Sequence, residues 1–239
     1  MFDLSQTCHG FFFRSFIPGE DGVPVEVEDA EGCREAEEAF VLRVQEVLRG
    51  RPDLLQILGC LENGLEVRLH SGSGFVHEDE EVYFFGSVQA DGDQLVLEIS
   101  TDEVLLGARA GHEALDVVVH ELTHVLDHLE EPRGMLPFIE TSEQRDFSRL
   151  RSRERVKIQD GASCLDRYAL TNDMEFLAVA VETYFARPYE LATTSPKLYQ
   201  HIDRYFQVDP EEDAITMAQI RPVRIPSPRK IGGDESPTD

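Results

Sequence analysis

His120 and His124 stand four residues apart with Glu121 between them, in the run Val117-Val118-Val119-His120-Glu121-Leu122-Thr123-His124-Val125-Leu126-Asp127. On a helix, that spacing stacks two imidazoles one turn apart on one face. Such a pair suits zinc, and the carboxylate beside it can reach a zinc-bound water without touching the ion. Zinc lowers the pKa of that water to about 7, and the carboxylate takes its proton as hydroxide attacks a carbonyl. The chemistry is hydrolysis. It needs a third protein ligand and one open coordination position. A surface helix with two ordinary histidines fits the segment poorly. Three valines precede His120 and Val125-Leu126 follow His124, so the run is apolar nearly all round and predicts burial. Buried imidazoles beside a carboxylate require partners.

Four residues are candidates for the third ligand. Asp127 and His128 follow on the same helix, but a rise of about 1.5 Å per residue carries them roughly a turn past a metal held between the histidines. Asp127 is better placed as an acceptor behind a ligand or as a helix-surface group, and His128 as a neighbour. Glu175 and Glu182 are seven apart in Asn172-Asp173-Met174-Glu175-Phe176-Leu177-Ala178-Val179-Ala180-Val181-Glu182-Thr183-Tyr184-Phe185, so they share one face of an otherwise apolar helix. Two carboxylates on a buried stripe are costly unless paired or metal-bound. One as ligand and one accepting a histidine N–H would resolve that cost. The alternative is one solvated edge of an amphipathic helix.

The elements that position these residues read as follows. Residues 1–33 are punctuated by Pro18, Gly19, Gly22, Pro24 and Gly32 and predict an irregular arm, with the Phe11-Phe12-Phe13-Arg14-Ser15-Phe16 cluster packing onto the body. From Arg34, the apolar positions Ala36, Ala39, Phe40, Val44, Val47 and Leu48 predict a helix, and Gly50 and Pro52 end it and open another. Asn63-Gly64 predicts a turn. Then the period becomes two. Leu65, Val67 and Leu69 alternate with Glu66 and Arg68, and 82–85 and 95–99 read as further strands around an Asp91-Gly92 hairpin signal. The motif helix is predicted from about Glu113 to Leu129, a charge-rich helix over 140–160, and helices from Thr171-Asn172-Asp173 to Phe185 and from Ser195-Pro196 to Phe206. The fold class is α+β, mainly helical with a small, partly antiparallel sheet. The domain runs over 34–211, and the acidic, proline-rich stretch 212–239 is expected to be disordered.

Composition removes several classes. With 47 acidic against 22 basic side chains the formal net charge is −25, which repels phosphate backbones and anionic membranes, so nucleic acid and membrane are not expected partners. No stretch approaches the roughly 20 apolar residues that span a bilayer. The first residues lack the pattern of a signal peptide, which makes a cytoplasmic location the expectation. Cys8, Cys33, Cys60 and Cys164 form no C-x-x-C pair, which argues against a cysteine metal site or a disulfide framework.

Three segments resemble the Mlc titration factor A peptidases, bacterial zinc metallopeptidases of the gluzincin type related to the anthrax lethal factor catalytic domain. They are Val117 to Asp127, Tyr168-Ala169 through Glu175-Phe176-Leu177-Ala178-Val179 to Glu182-Thr183-Tyr184-Phe185, and Ser195-Pro196 through Asp209-Pro210. The resemblance runs from about residue 35 to about residue 210. It implies a zincin-like domain binding one zinc ion on His120, His124 and Glu175, with Glu121 as base. It further implies that Tyr168 donates to the developing oxyanion and that Glu182 supports a ligand. The activity implied is aminopeptidase-like cleavage of short peptides, with a sugar-responsive transcriptional repressor as a partner in part of the family.

Overall fold

The structure is a computed structural model and describes residues 11–18, 24–27, 33–61, 65–76, 83–91, 94–110 and 116–208. Its centre is a five-stranded mixed sheet in the order β2-β1-β3-β7-β6. The strands are β1 (Phe11–Pro18), β2 (Pro24–Val27), β3 (Leu65–His70), β6 (Gly86–Asp91) and β7 (Gln94–Ser100). β1 and β7 flank β3 in parallel, while β2 and β6 close the two edges antiparallel. A second, two-stranded sheet joins β4 (Phe75–Val76) to β5 (Tyr83–Phe84). The Asp91-Gly92 signal falls at the β6–β7 connection, where Asp91 pairs with Gln94; Gly92 itself lies outside the described residues, as do the Asn63-Gly64 turn and the stretch 212–239.

The period-two pattern of β3 sorts its side chains as expected. Leu65, Val67 and Leu69, with Leu97 and Ile99 of β7, are buried beneath helix α1 (Cys33–Val47), whose Ala36, Phe40, Val44 and Val47 face them. The alternate positions are polar yet also buried. Glu66 and Glu98 are shielded from water, and Arg68 lies 2.7 Å from Glu66 and 3.4 Å from Glu98. One guanidinium between two carboxylates therefore occupies what alternation alone reads as a solvated face.

The N-terminal segment departs from the irregular arm expected for residues 1–33. Residues 11–18 form an interior strand, registered Phe11 to Leu65 through Phe16 to His70, and residues 24–27 form the edge strand beside it. The reason is physical. The aromatic and β-branched run favours a pleated, half-buried surface, and Pro18 and Pro24, taken as loop signals, stand at strand ends. Phe13 meets Phe40 edge-on at 6.0 Å between ring centres and so packs onto the body, while Phe12 of the same cluster is exposed.

Eight α-helices are present among the described residues. α2 (Pro52–Gly59) follows α1, α3 (Thr101–Ala110) packs on α1 and β7, and α4 (Val117–Asp127) carries the paired histidines. α4 is shorter than the predicted 113–129. Asp116 caps its start by accepting from the Val119 amide at 3.1 Å. α5 (Thr141–Gln159), α6 (Asp173–Ala186), α7 (Pro188–Thr194) and α8 (Pro196–Phe206) complete the fold. α6 packs on α4, and every residue from Phe176 to Ala186 is buried. It is the central helix of the domain rather than an amphipathic one. No described helix is long and apolar enough to cross a membrane.

Candidate metal centre

α4 presents His120 and His124 on one face, their rings 5.0 Å apart between centres and inclined at 72°. α6 brings Glu175 against both. Its Oε2 lies 3.1 Å from His120 Nε2 and 3.5 Å from His124 Nε2, and the ligand atoms of all three residues lie within 4.8 Å of one another. Tetrahedral zinc with ligand bonds of about 2.0–2.1 Å needs ligand atoms about 3.3 Å apart. The two measured separations bracket that value. Two imidazole nitrogens and one carboxylate oxygen are also a donor set suited to zinc.

The electrostatics favour a cation at the same point. Burial pushes the His120 imidazole toward its neutral form, but the hydrogen bonds to Glu175 and Glu182 outweigh this and hold its pKa up to about 10. Burial pushes Glu175 upward, and the hydrogen bonds from His120 and His124 reverse it, down to about 2. Two carboxylates, Glu175 and Glu182, thus flank the two ring nitrogens of one buried imidazole, an arrangement that favours positive charge there.

Glu182 ties the cluster to the rest of the fold. Its Oε2 lies 3.2 Å from His120 Nδ1, and its Oε1 accepts from the Asp116 amide at 2.8 Å. Asp116 in turn receives Arg43 Nε of α1 at 2.7 Å. One carboxylate thus orients a histidine and holds the start of its helix, with a guanidinium behind. Glu182→Gln is expected to weaken zinc affinity by about 10–100-fold, the usual cost of losing such an orienting partner. Competition with a chromophoric chelator measures this, and wild-type affinity would remove Glu182 from that role.

Glu121 points the other way. It is 5% exposed, its Oε2 has no hydrogen-bond partner among the described residues, and burial raises its pKa. A Cβ at Gly86, the first residue of β6, would stand 2.6 Å from the Cγ and Oε1 of Glu121. Glycine at this position leaves the carboxylate its room. An unpartnered buried carboxylate oxygen beside a metal cluster is costly, and a metal-bound water would satisfy it.

Tyr168 lies in a short 3₁₀ turn, Arg167–Leu170, which Asp166 caps by accepting from the Tyr168 amide at 2.8 Å. Its ring centre is 6.2 Å from that of His120. The side chain is 53% exposed, not buried as an ordinary core tyrosine would be. Partial burial and the nearby Glu175 and Glu121 charges raise the phenol pKa, so it stays a neutral donor.

The remaining candidates lie elsewhere. His128 Nδ1 pairs with the His124 carbonyl at 2.8 Å, outside the cluster. Asp127, expected behind a ligand, is corrected: its two oxygens accept the amides of Arg133, Gly134 and Met135 at 2.8–3.1 Å. It ends the helix facing a loop rather than an imidazole. Sequence reasoning missed Asp116, Arg43 and Gly86. Asp116 before a valine run carries a helix-cap signal. Arg43 and Gly86 reach the site only through tertiary approach.

The family described as glucose-regulated metallo-peptidase M90 matches residues 62–207. An uncharacterized protein of Synechocystis, slr2042, is 27% identical over 151 residues, covering 60% of this chain and 54% of that protein. Mlc titration factor A of Serratia proteamaculans is 29% identical over 168 residues, covering 63% of each. Mlc titration factor A of an Enterobacter strain is 31% identical over 103 residues, covering 40% of this chain and 39% of that one. The chain thus spans less than two thirds of the length of these relatives. The family match covers well over half of the chain and contains both halves of the metal cluster, and on that ground the chain belongs to the M90 metallo-peptidase family.

Proposed function

We propose that this chain is a zinc-dependent peptidase that acts in the cytoplasm on short peptides, in the manner of an aminopeptidase. The observation that carries the reading is the juxtaposition of a two-histidine, one-glutamate cluster with the unpartnered, buried Oε2 of Glu121. Zinc, held by His120, His124 and Glu175, would supply a water acidified to a pKa of about 7 and polarise the scissile carbonyl. Glu121 takes the proton of the attacking water and returns it to the leaving amine. Its raised pKa suits a group that must bind and release a proton. Tyr168, half-exposed beside His120 and neutral, donates to the oxyanion of the tetrahedral intermediate. Gly86 keeps the room that Glu121 needs.

A panel of short peptides, each with a free or an acetylated N-terminus, tests this. Hydrolysis is expected to stop on chelation, return with zinc, and fail on the acetylated set. Zinc-loaded protein that cleaves none of the panel would sink the enzyme reading. Equal cleavage of the acetylated peptides would remove the aminopeptidase part alone.

The name Mlc titration factor A, borne by several relatives, supports a second reading. In it the chain also sequesters a transcriptional repressor, and it would do so without catalysis if the zinc site were only structural. Titration of purified repressor against the chain checks it, and no association at micromolar concentrations excludes it.

A further inference from the structure

We propose that Asp127, residues 133–135 and Arg151 form a clamp that sets where the Glu175 carboxylate stands relative to the two histidines, which makes Asp127 and Arg151 positioning residues. The proposal rests on the reading of His120, His124 and Glu175 as zinc ligands.

The need for such a clamp follows from where Glu175 sits. It occupies the first turn of α6, at the end of the helix where backbone groups have no intrahelical partner and fraying begins. A metal ligand must be held within about 0.5 Å of its working position. The apolar packing of α4 on α6 is non-directional and does not select such a position alone. Asn172 satisfies one orphan group by accepting from the Glu175 amide at 2.8 Å, but this bond is internal to α6 and does not register it against α4.

A chain of directional contacts outside the ligand cluster does. Asp127 lies three residues beyond His124 on the same helix and is 3% exposed. Its Oδ1 accepts from the amides of Arg133 at 3.1 Å and Met135 at 3.0 Å, and its Oδ2 from that of Gly134 at 2.8 Å. Three consecutive amides on one carboxylate fix the loop to the end of α4. The loop then abuts the start of α6. Gly134 has a φ of +65°, and a Cβ there would stand 2.1 Å from the Asp173 carbonyl oxygen and 2.9 Å from the Met174 nitrogen. Only a residue without a side chain permits this approach.

Arg151 of α5 closes the arrangement. One guanidinium nitrogen, Nη1, donates to the Gly134 carbonyl at 2.9 Å, and Nη2 lies 2.7 Å from Asp173 Oδ2. Arg155, one turn on, stands 3.2 Å from the other Asp173 oxygen. A planar fork can hold a loop carbonyl and a helix carboxylate at once, which an ammonium does less well. The path from His124 to Glu175 therefore runs through Asp127, the loop, Arg151 and Asp173. Glu182 registers the same two helices at the other end through His120 and Asp116.

Zinc affinity by chelator competition, and the visible spectrum of the cobalt-substituted protein, test the clamp in the full chain. Arg151→Met and Asp127→Asn are expected to weaken zinc binding by about 10–100-fold and to alter the cobalt band. Arg151→Lys, which keeps one donor to the Gly134 carbonyl, is expected to recover part of the affinity, and it is read alone if Arg151→Met does not fold. Val44→Ala supplies the control. It removes buried volume from α1 without touching the clamp, and is expected to lower thermal stability while leaving zinc affinity and the cobalt band unchanged. The proposal is overturned if the clamp variants bind zinc like wild type, or weaken it no more than Val44→Ala does. It is also overturned if Arg151→Lys is as impaired as Arg151→Met. Wild-type protein that binds no zinc would instead refute the metal reading itself.

Discussion

Glu121→Gln is expected to lower peptide turnover by about 10²–10⁴-fold, the span by which a positioned general base accelerates proton transfer, while zinc content stays at the wild-type level. The substitution is nearly isosteric, so it fits the room that Gly86 leaves for the side chain at 121. It removes only the capacity to take a proton. Because Glu121 is outside the three-residue ligand cluster, the ion should remain. The loss should appear in kcat with little change in KM, since the base acts in the transition state rather than in substrate binding. Turnover and metal analysis on the same preparation decide the matter. Activity within tenfold of wild type, with zinc bound, would remove Glu121 as the base.

Glu175→Ala is expected to abolish tight zinc binding. Losing a direct ligand should exceed the roughly 10–100-fold cost of losing an outer partner, and peptide turnover should vanish with it. The effect has a thermodynamic signature independent of catalysis. An ion that binds only the folded chain stabilises it by RT ln(1 + [L]/Kd), about 2.7 kcal/mol at a free concentration one hundred times Kd. Wild-type melting temperature should therefore climb with free zinc, and that of Glu175→Ala should hardly move over the same range. Calorimetry across a zinc-buffer series measures this. An undiminished climb in the variant would mean that the third ligand lies elsewhere.

How much of this was legible in the sequence depends on whether a feature is local. The pairing of His120 with His124, and the sharing of a face by Glu175 and Glu182, follow from helical periodicity, and the structure does bring His120, His124 and Glu175 together. Tyr168 came only through family resemblance, since nothing in its neighbours forecasts a half-exposed ring at the site. Asp127 was misjudged because helix geometry gives the distance to a metal but not the loop that returns to meet the carboxylate. Gly86 and Arg43 carry no local signal at all. Each acquires its role from an element distant in the chain. The sheet was legible in part. The alternation in β3 and the hairpin signal before β7 were clear, whereas the proline and glycine residues bounding β1 masked a strand as a loop. The burial of Glu66 and Glu98 was hidden because period two sorts side chains by face and says nothing of what covers each face.

The placement of β1 has a consequence for how the chain assembles. β1 finds an antiparallel neighbour in β2 almost at once, but its parallel partner is β3, and Phe11 must wait for Leu65. β3 in turn is completed by β7, where Leu65 meets Leu95. Non-local parallel pairings of this kind incur their loop-closure entropy before any contact rewards it, and they slow folding. The aromatic strand β1, which precedes β3 and β7 in the chain, is thus satisfied late. Until then it presents an open ladder edge, the kind of surface on which nascent chains associate wrongly.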